Sequence, residues 1–288
     1  MTSAKEPGKR LVEPEASGPT VNKVASARWS DLGSRALSAG VLMAVGVAEI
    51  WLGGTAFAAL VALLVMIMVW ELARMTNAPA RALTPLVPAG LAGGALVLAL
   101  WLPAGHAAGA ALTLPALLLL VIPGHDRRLR AVYALLILVA GYALVDLRET
   151  AGPLAILWLV GVVVASDVLG YFVGRTLGGP KFWARISPKK TWSGTIAGWV
   201  GAALVGLGFV AFAGGHWLLL PLSALLAFAG QLGDIGESWI KRRSGVKDAS
   251  RVIPGHGGVL DRFDALIGAV VLVWALQPVL PLATMVAG

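Results

Sequence analysis

Residues 194–213 read GTIAGWVGAALVGLGFVAFA, with no charged residue and no proline. As a helix rising about 1.5 Å per residue, such a run crosses the ~30 Å hydrocarbon core of a bilayer. Other long apolar runs lie on both sides of it. Towards the N-terminus they cover residues 36–52, 55–72, 85–102, 107–122, 131–147 and 153–172; towards the C-terminus they cover 217–231 and 265–286. The chain is 288 residues long and 58% hydrophobic, with 13% charged residues and a mean hydropathy of +0.81. A soluble domain of this size does not carry so much apolar surface. The expected fold class is all-α: a polytopic helical integral membrane protein with about nine transmembrane helices.

Charge placement supports that count. Lys5, Lys9, Arg10, Lys23, Arg28 and Arg35 lie before the first span. Arg74 and Arg81 follow the second span, and Arg127, Arg128 and Arg130 the fourth. Arg175, Lys181, Arg185, Lys189 and Lys190 follow the sixth, and Lys241, Arg242, Arg243, Lys247, Arg251 and Arg262 the eighth. Under nine spans, 22 of the 23 basic residues fall on one side, and Arg148 alone falls on the other. The positive-inside rule makes that side the cytoplasm. Merging the first two spans across Gly53-Gly54 would put six basic residues on the wrong face. Residues 1–35 are polar and rich in Pro, Ser, Lys and Glu, without the apolar core of a signal peptide; a disordered cytoplasmic tail is expected. The expected organisation is therefore this tail at 1–35, N-terminal transmembrane helices at 36–147, and a catalytic transmembrane region at 148–288 with two cytoplasmic active-site loops. With no cysteine, disulfide and thiol chemistry are excluded.

Acids in apolar runs come next. A charge at mid-membrane costs about 2.5–3.5 kcal/mol on insertion scales, so it needs a partner or a wet cavity. Glu71 stands three residues before Arg74, and a local ion pair at a helix end is expected. Glu49 has the look of a helix-end residue. Asp167 and Asp234, each close to a basic loop, point to function instead.

Two loops hold the remaining chemistry. Residues 174–194 read GRTLGGPKFWARISPKKTWSG. Hydroxyls beside paired lysines suit a phosphate pocket, while the same charges suit an anionic lipid surface or a topology signal; the residues alone leave both open. Residues 238–264 read SWIKRRSGVKDASRVIPGHGGVLDRFD. Cations, a glycine loop and then Asp261 and Asp264 three apart are what polyphosphate and a divalent metal need. Asp234 and Glu237 repeat that spacing, so four carboxylates from neighbouring helices are placed to converge on a hard cation. His256, alone between glycines, makes no His-rich metal centre. The G-x-x-x-x-G-K-[ST] and G-x-S-x-G motifs are absent.

Residues 238–264 resemble the signature of the phosphatidate cytidylyltransferase (CDP-diacylglycerol synthase) family. The resemblance lies in Ser238, Lys241-Arg242, Lys247-Asp248, Ser250, Ile253-Pro254, His256-Gly257-Gly258 and Asp261-Arg262-Phe263-Asp264. Gln231 to Asp234, Ile186 to Gly194, and Asp167 with Tyr171 and Gly174-Arg175 add to it, over about residues 148–265. The resemblance implies a homodimeric membrane enzyme that moves cytidylyl from CTP to phosphatidic acid. It also implies a requirement for Mg²⁺, assisted by a monovalent cation such as K⁺. Carried onto this sequence, Asp234, Asp261, Asp264 and Asp167 would hold metal. Lys241, Arg242 and Lys247 would meet the triphosphate, with Asp248 orienting Lys247. Gly257 and Gly258 would offer backbone N–H groups, and His256 would bond a phosphate oxygen or position Asp261. Ser187, Lys189 and Lys190 would hold lipid phosphate or nucleotide, with Thr191, Ser238 and Arg262 also on the substrate. The alternatives are a CTP-dependent polyprenol or lipid kinase, which would transfer the γ-phosphoryl group, and, from another class, a membrane transporter. The aspartate spacing of CDP-alcohol phosphotransferases is not found.

Overall fold

The computed structural model describes residues 40, 43–76, 85–124, 126–253 and 257–287. The tail at 1–35 and His256 lie outside the described residues. Helix α1 covers Met43–Leu52; α2 Gly54–Thr76, α3 Leu86–Trp101 and α4 His106–Val121 follow. Helix α5 spans Arg127–Thr176, and a hairpin of β1 (Lys181–Trp183) and β2 (Ser187–Thr191) leads into α6 (Trp192–Ala213). The chain ends in α7 (Leu219–Arg243), α8 (Leu260–Leu276) and α9 (Leu282–Val286). Of these, α2, α5, α6 and α7 are long and apolar enough to cross a membrane. The helices dominate because lipid offers the backbone no other hydrogen-bond partner.

The breaks have local causes. Gly53 and Gly54 take φ of 64° and 56°, a left-handed backbone that glycine tolerates, and this divides α1 from α2. Arg148 completes the break: its side chain donates to the carbonyls of Ile50 at 2.6 Å and Trp51 at 3.1 Å. The one basic residue expected on the far side thus satisfies the open end of a helix. Glu149 accepts from Gly54 N at 3.1 Å beside it. Helix α5 carries its own break, with Gly152 at φ 80° and ψ −179° just before Pro153, where the expected spans 131–147 and 153–172 meet.

Three expectations are corrected. The C-terminal span at 265–286 is not one helix: α8 already starts at Leu260 and stops at Leu276, before the Pro278–Pro281 segment, and α9 is separate. Proline lacks an N–H and disfavours helix at the residue before it. Second, α7 does not end near Gln231. It runs to Arg243, so Ser238 and Lys241 stand on the same rigid helix as Asp234 and Glu237 instead of in a loop. Third, the basic segment after α5 is partly a β-hairpin, with Lys181 opposite Thr191 and Trp183 opposite Ser187.

The second half of α5 packs closely on α6. A Cβ on Gly194 would lie 2.5 Å from the Gly170 carbonyl oxygen and 3.1 Å from Gly174 Cα. Only glycine permits that approach, which draws β2 and the start of α6 against Asp167. Thr191 caps α6 by accepting from Gly194 N at 3.2 Å.

Candidate active site

On α7, Gln231, Asp234, Ser238 and Lys241 recur at three- and four-residue intervals and so share a face. Gln231 is tied to α6, accepting from Trp199 Nε1 at 3.0 Å and donating to the Thr195 carbonyl at 3.3 Å. Asp234 pairs with Lys190 of β2 and accepts from Ser238 Oγ at 3.2 Å. One turn on, the buried Glu237 pairs with Lys241. Lys241 also donates to Asp261 Oδ1 of α8 at 2.7 Å.

Asp264, on the next turn of α8, is buried. Ligand oxygens of Asp234, Glu237 and Asp264 lie within 4.8 Å of one another. Two carboxylates about 4 Å apart repel by about 4 kcal/mol at an effective dielectric of 20. Asp234, Glu237, Asp261 and Asp264 here face Lys190 and Lys241, a formal excess of two negative charges when all four are ionised. Glu237 Oε1 is buried with no hydrogen-bond partner among the described residues. An all-oxygen donor set, an excess of two charges and an orphaned carboxylate oxygen fit a hard divalent cation such as Mg²⁺. The buried Tyr133 hydroxyl, also without a hydrogen-bond partner among the described residues, is within electrostatic reach of Asp264, Glu237 and Asp234.

Asp261 is occupied differently. It accepts from Gly258 N at 2.8 Å and Ala249 N at 3.0 Å, as well as from Lys241. It pins the loop after α7 onto α8. The Gly258 amide is therefore engaged within the chain, against the expectation that it meets phosphate. Gly257 sits at φ 86°, with its own carbonyl accepting from Ile253 N at 2.9 Å.

A cavity of about 790 Å³ joins the acidic cluster to the hairpin. Asp167, Asp234, Asp261 and Asp264 line it together with Lys189, Lys190 and Thr191. Its size fits a nucleotide-scale ligand. Tyr171, Arg175 and Lys181 also line it and were not singled out as site residues from the sequence. Arg175 donates to Tyr171 Oη at 2.8 Å. The signal for Arg175 and Lys181 was their place in the basic loop. Ser187, Ser238, Lys241, Gly257 and Gly258 stand close by but are not among the lining residues. Arg242, Lys247, Asp248 and Arg262 are exposed and lie outside the lining too.

Glu71 overturns its expected ion pair. Arg74 instead lies over the Trp70 ring, 5.1 Å from its centroid. Glu71 is fully buried and accepts from Ser250 Oγ at 2.5 Å, Val259 N at 2.9 Å and Leu260 N at 2.6 Å.

The profile of the Cytidylyltransferase family matches residues 33–280. The phosphatidate cytidylyltransferase of Brucella abortus (strain 2308) is 48% identical over 129 residues, covering 44% of this chain and 47% of the relative. That of Helicobacter pylori (strain J99 / ATCC 700824) is 44% identical over 128 residues, with 44% and 48% covered. That of Staphylococcus haemolyticus (strain JCSC1435) is 46% identical over 115 residues, with 39% and 44% covered. The matched part of the chain spans about half the length of these curated relatives.

Proposed function

This chain belongs to the Cytidylyltransferase family, and from that premise we propose that it transfers cytidylyl from CTP to phosphatidic acid, releasing pyrophosphate and forming CDP-diacylglycerol. The observation that carries the reading is a cavity whose lining combines carboxylates with Lys181, Lys189, Lys190 and Arg175, Lys190 being paired with Asp234. It is supported by relatives named for this activity; those names do not favour the kinase and transport readings.

A phosphate monoester has a second pKa of about 6, so the lipid phosphate is already a dianion at neutral pH and needs no strong general base. One of its oxygens attacks the α-phosphorus of CTP. The α–β phosphoanhydride bond breaks, and pyrophosphate leaves with the bonding electrons. The work left for the protein is alignment and charge neutralisation. Lys189, Lys190 and Thr191, with Arg175 and Lys181, would hold the phosphates. Asp234, Glu237 and Asp264 would hold Mg²⁺, with Asp167 also lining the cavity. When bound, the cation would supply neutralisation of charge on the phosphates and the departing pyrophosphate. Asp261 and Lys241 brace the metal carboxylates, and exposed Arg242 and Lys247 would draw CTP toward the membrane. The charge asymmetry supports a site on the cytoplasmic side of the inner membrane, and the family resemblance supports a homodimer.

The test uses purified protein in mixed micelles with phosphatidic acid, Mg²⁺ and CTP labelled at the α-phosphate. Label should appear in the extracted lipid and vanish with EDTA. CTP consumption without lipid label would remove the reading.

A further inference from the structure

Glu71 belongs to α2, in the half of the chain that the sequence marks only as membrane-spanning. Among the described residues its hydrogen-bond donors are Ser250 and Val259, between α7 and α8, and Leu260, the first residue of α8. Val259 N, 188 residues away in sequence, donates to Oε1, and Leu260 N, 189 away, donates to Oε2. Ser250 Oγ donates to Oε1 as well. A Cβ on Gly258 would lie 2.6 Å from Oε1, so that position must be glycine for the carboxylate to reach its donors. The amides it holds stand at the start of α8, where N–H groups have no partner inside the helix and the helix dipole favours an anion. Helix α8 has no side-chain cap of its own at Val259. A distant carboxylate does that work.

The consequence reaches the site through a short path. The turn that Glu71 holds is the turn whose Gly258 amide binds Asp261 at 2.8 Å. Asp261 holds Lys241, which pairs with Glu237. Asp264 lies one helical turn after Asp261 on the helix that Glu71 caps. Glu71 does not line the cavity, so it reaches the cation only through these residues.

We propose that Glu71 is a positioning residue of the cation site: it clamps the Gly258–Leu260 turn and so sets Asp264 and Asp261 against Glu237 and Asp234. This deepens the cytidylyl-transfer reading and rests on it.

The experiment compares full-length wild type with Glu71→Gln in detergent micelles. Free Mn²⁺ is followed by electron paramagnetic resonance as protein is titrated in, which needs no turnover. The Mg²⁺ dependence of label transfer and the melting midpoint are measured alongside. The amide keeps the size of the side chain but offers one acceptor oxygen in place of two. The Mn²⁺ dissociation constant and the Mg²⁺ concentration for half-maximal rate should both rise about tenfold, while KM for CTP at saturating Mg²⁺ stays within twofold. A lower melting midpoint with an unchanged Mn²⁺ constant per folded molecule would overturn the proposal, because a merely structural role moves only the former. If Glu71→Gln does not fold, Ser250→Ala removes one donor and leaves the carboxylate. It should weaken Mn²⁺ about threefold, and no change would again overturn the clamp. A wild type that binds Mn²⁺ but transfers no label removes the cytidylyl reading, while a shifted Mn²⁺ constant in the variant would still support the clamp.

Discussion

Asp261 and Glu237 share one lysine, and the number of donors each already satisfies decides which of them is free for a cation. Asp261 has three donors; Glu237 has Lys241 and a second oxygen with none. Glu237→Gln should therefore raise the Mg²⁺ concentration for half-maximal rate by about 10–100-fold, read from initial rates across a Mg²⁺ series. Asp261→Asn should act first on stability. It weakens a half-buried hub of charged and backbone hydrogen bonds, at a cost of about 1–3 kcal/mol, which thermal unfolding in detergent would report. Equal melting midpoints for Asp261→Asn and wild type would contradict that division of labour. Asp234 and Asp264 were legible as candidates because carboxylates three apart share a helix face. Glu237 was legible as one of four acids placed to converge on a hard cation, but its being freer than Asp261 to meet one was not. That depends on Asp261 being used up by amides of Gly258 and Ala249, which no spacing rule reports. Glu71 was misread because a nearby Arg74 supplied an obvious partner, while the true donors lie at Ser250, Val259 and Leu260.

At the scale of elements, the site depends on α7 continuing through three glycines, at 230, 233 and 236. They look like breakers in sequence, yet two of them are contact points: a Cβ on Gly230 would lie 3.1 Å from the Ala265 carbonyl oxygen, and Gly233 meets the Asp264 carbonyl. Hydropathy ends the span where polar residues begin, whereas hydrogen bonding and packing carry the helix to Arg243. Close approach is also what glycine provides on α6, where the two kinds of site can be separated. Gly194→Ala should destabilise by about 1–3 kcal/mol, since its Cβ would lie 2.5 Å from the Gly170 carbonyl oxygen and the backbone must shift. Gly208→Ala, on the same helix with nothing within 4 Å of the new Cβ, should be neutral or stabilising by up to about 1 kcal/mol. Thermal melts in one detergent compare them directly; equal losses would mean that helix propensity alone governs α6 and that its contact with α5 is not tight. Because the same contact draws β2 toward Asp167, Gly194→Ala should also lower lipid labelling per folded molecule, and Gly208→Ala should not.

The whole molecule turns on how often α5 crosses the membrane. Its 50 residues amount to about 75 Å of helix, more than twice the ~30 Å core. The break at Gly152-Pro153 makes two crossings possible. A contact independent of charge counting supports two: Arg148 and Glu149 bind the α1–α2 junction at Ile50, Trp51 and Gly54, which puts residues 148–149 and 50–54 at one membrane face. If the tail is cytoplasmic and α1 crosses once, that face is the outer one, where the charge pattern also puts Arg148. The chain's lack of cysteine makes this testable with single substitutions. Ala104→Cys lies in the exposed α3–α4 turn, and Lys247→Cys in the exposed loop after α7. Between them run α4, α5, α6 and α7, which is five crossings if α5 counts twice and four if it counts once. A membrane-impermeant maleimide should label Lys247→Cys only in vesicles with the cytoplasmic face outward, and Ala104→Cys only in vesicles of the opposite orientation. Labelling of both from the same face would make α5 a single crossing. It would also put Arg148 and the basic loops on sides that the charge pattern does not permit, and the cytoplasmic assignment of the cavity would fall with it.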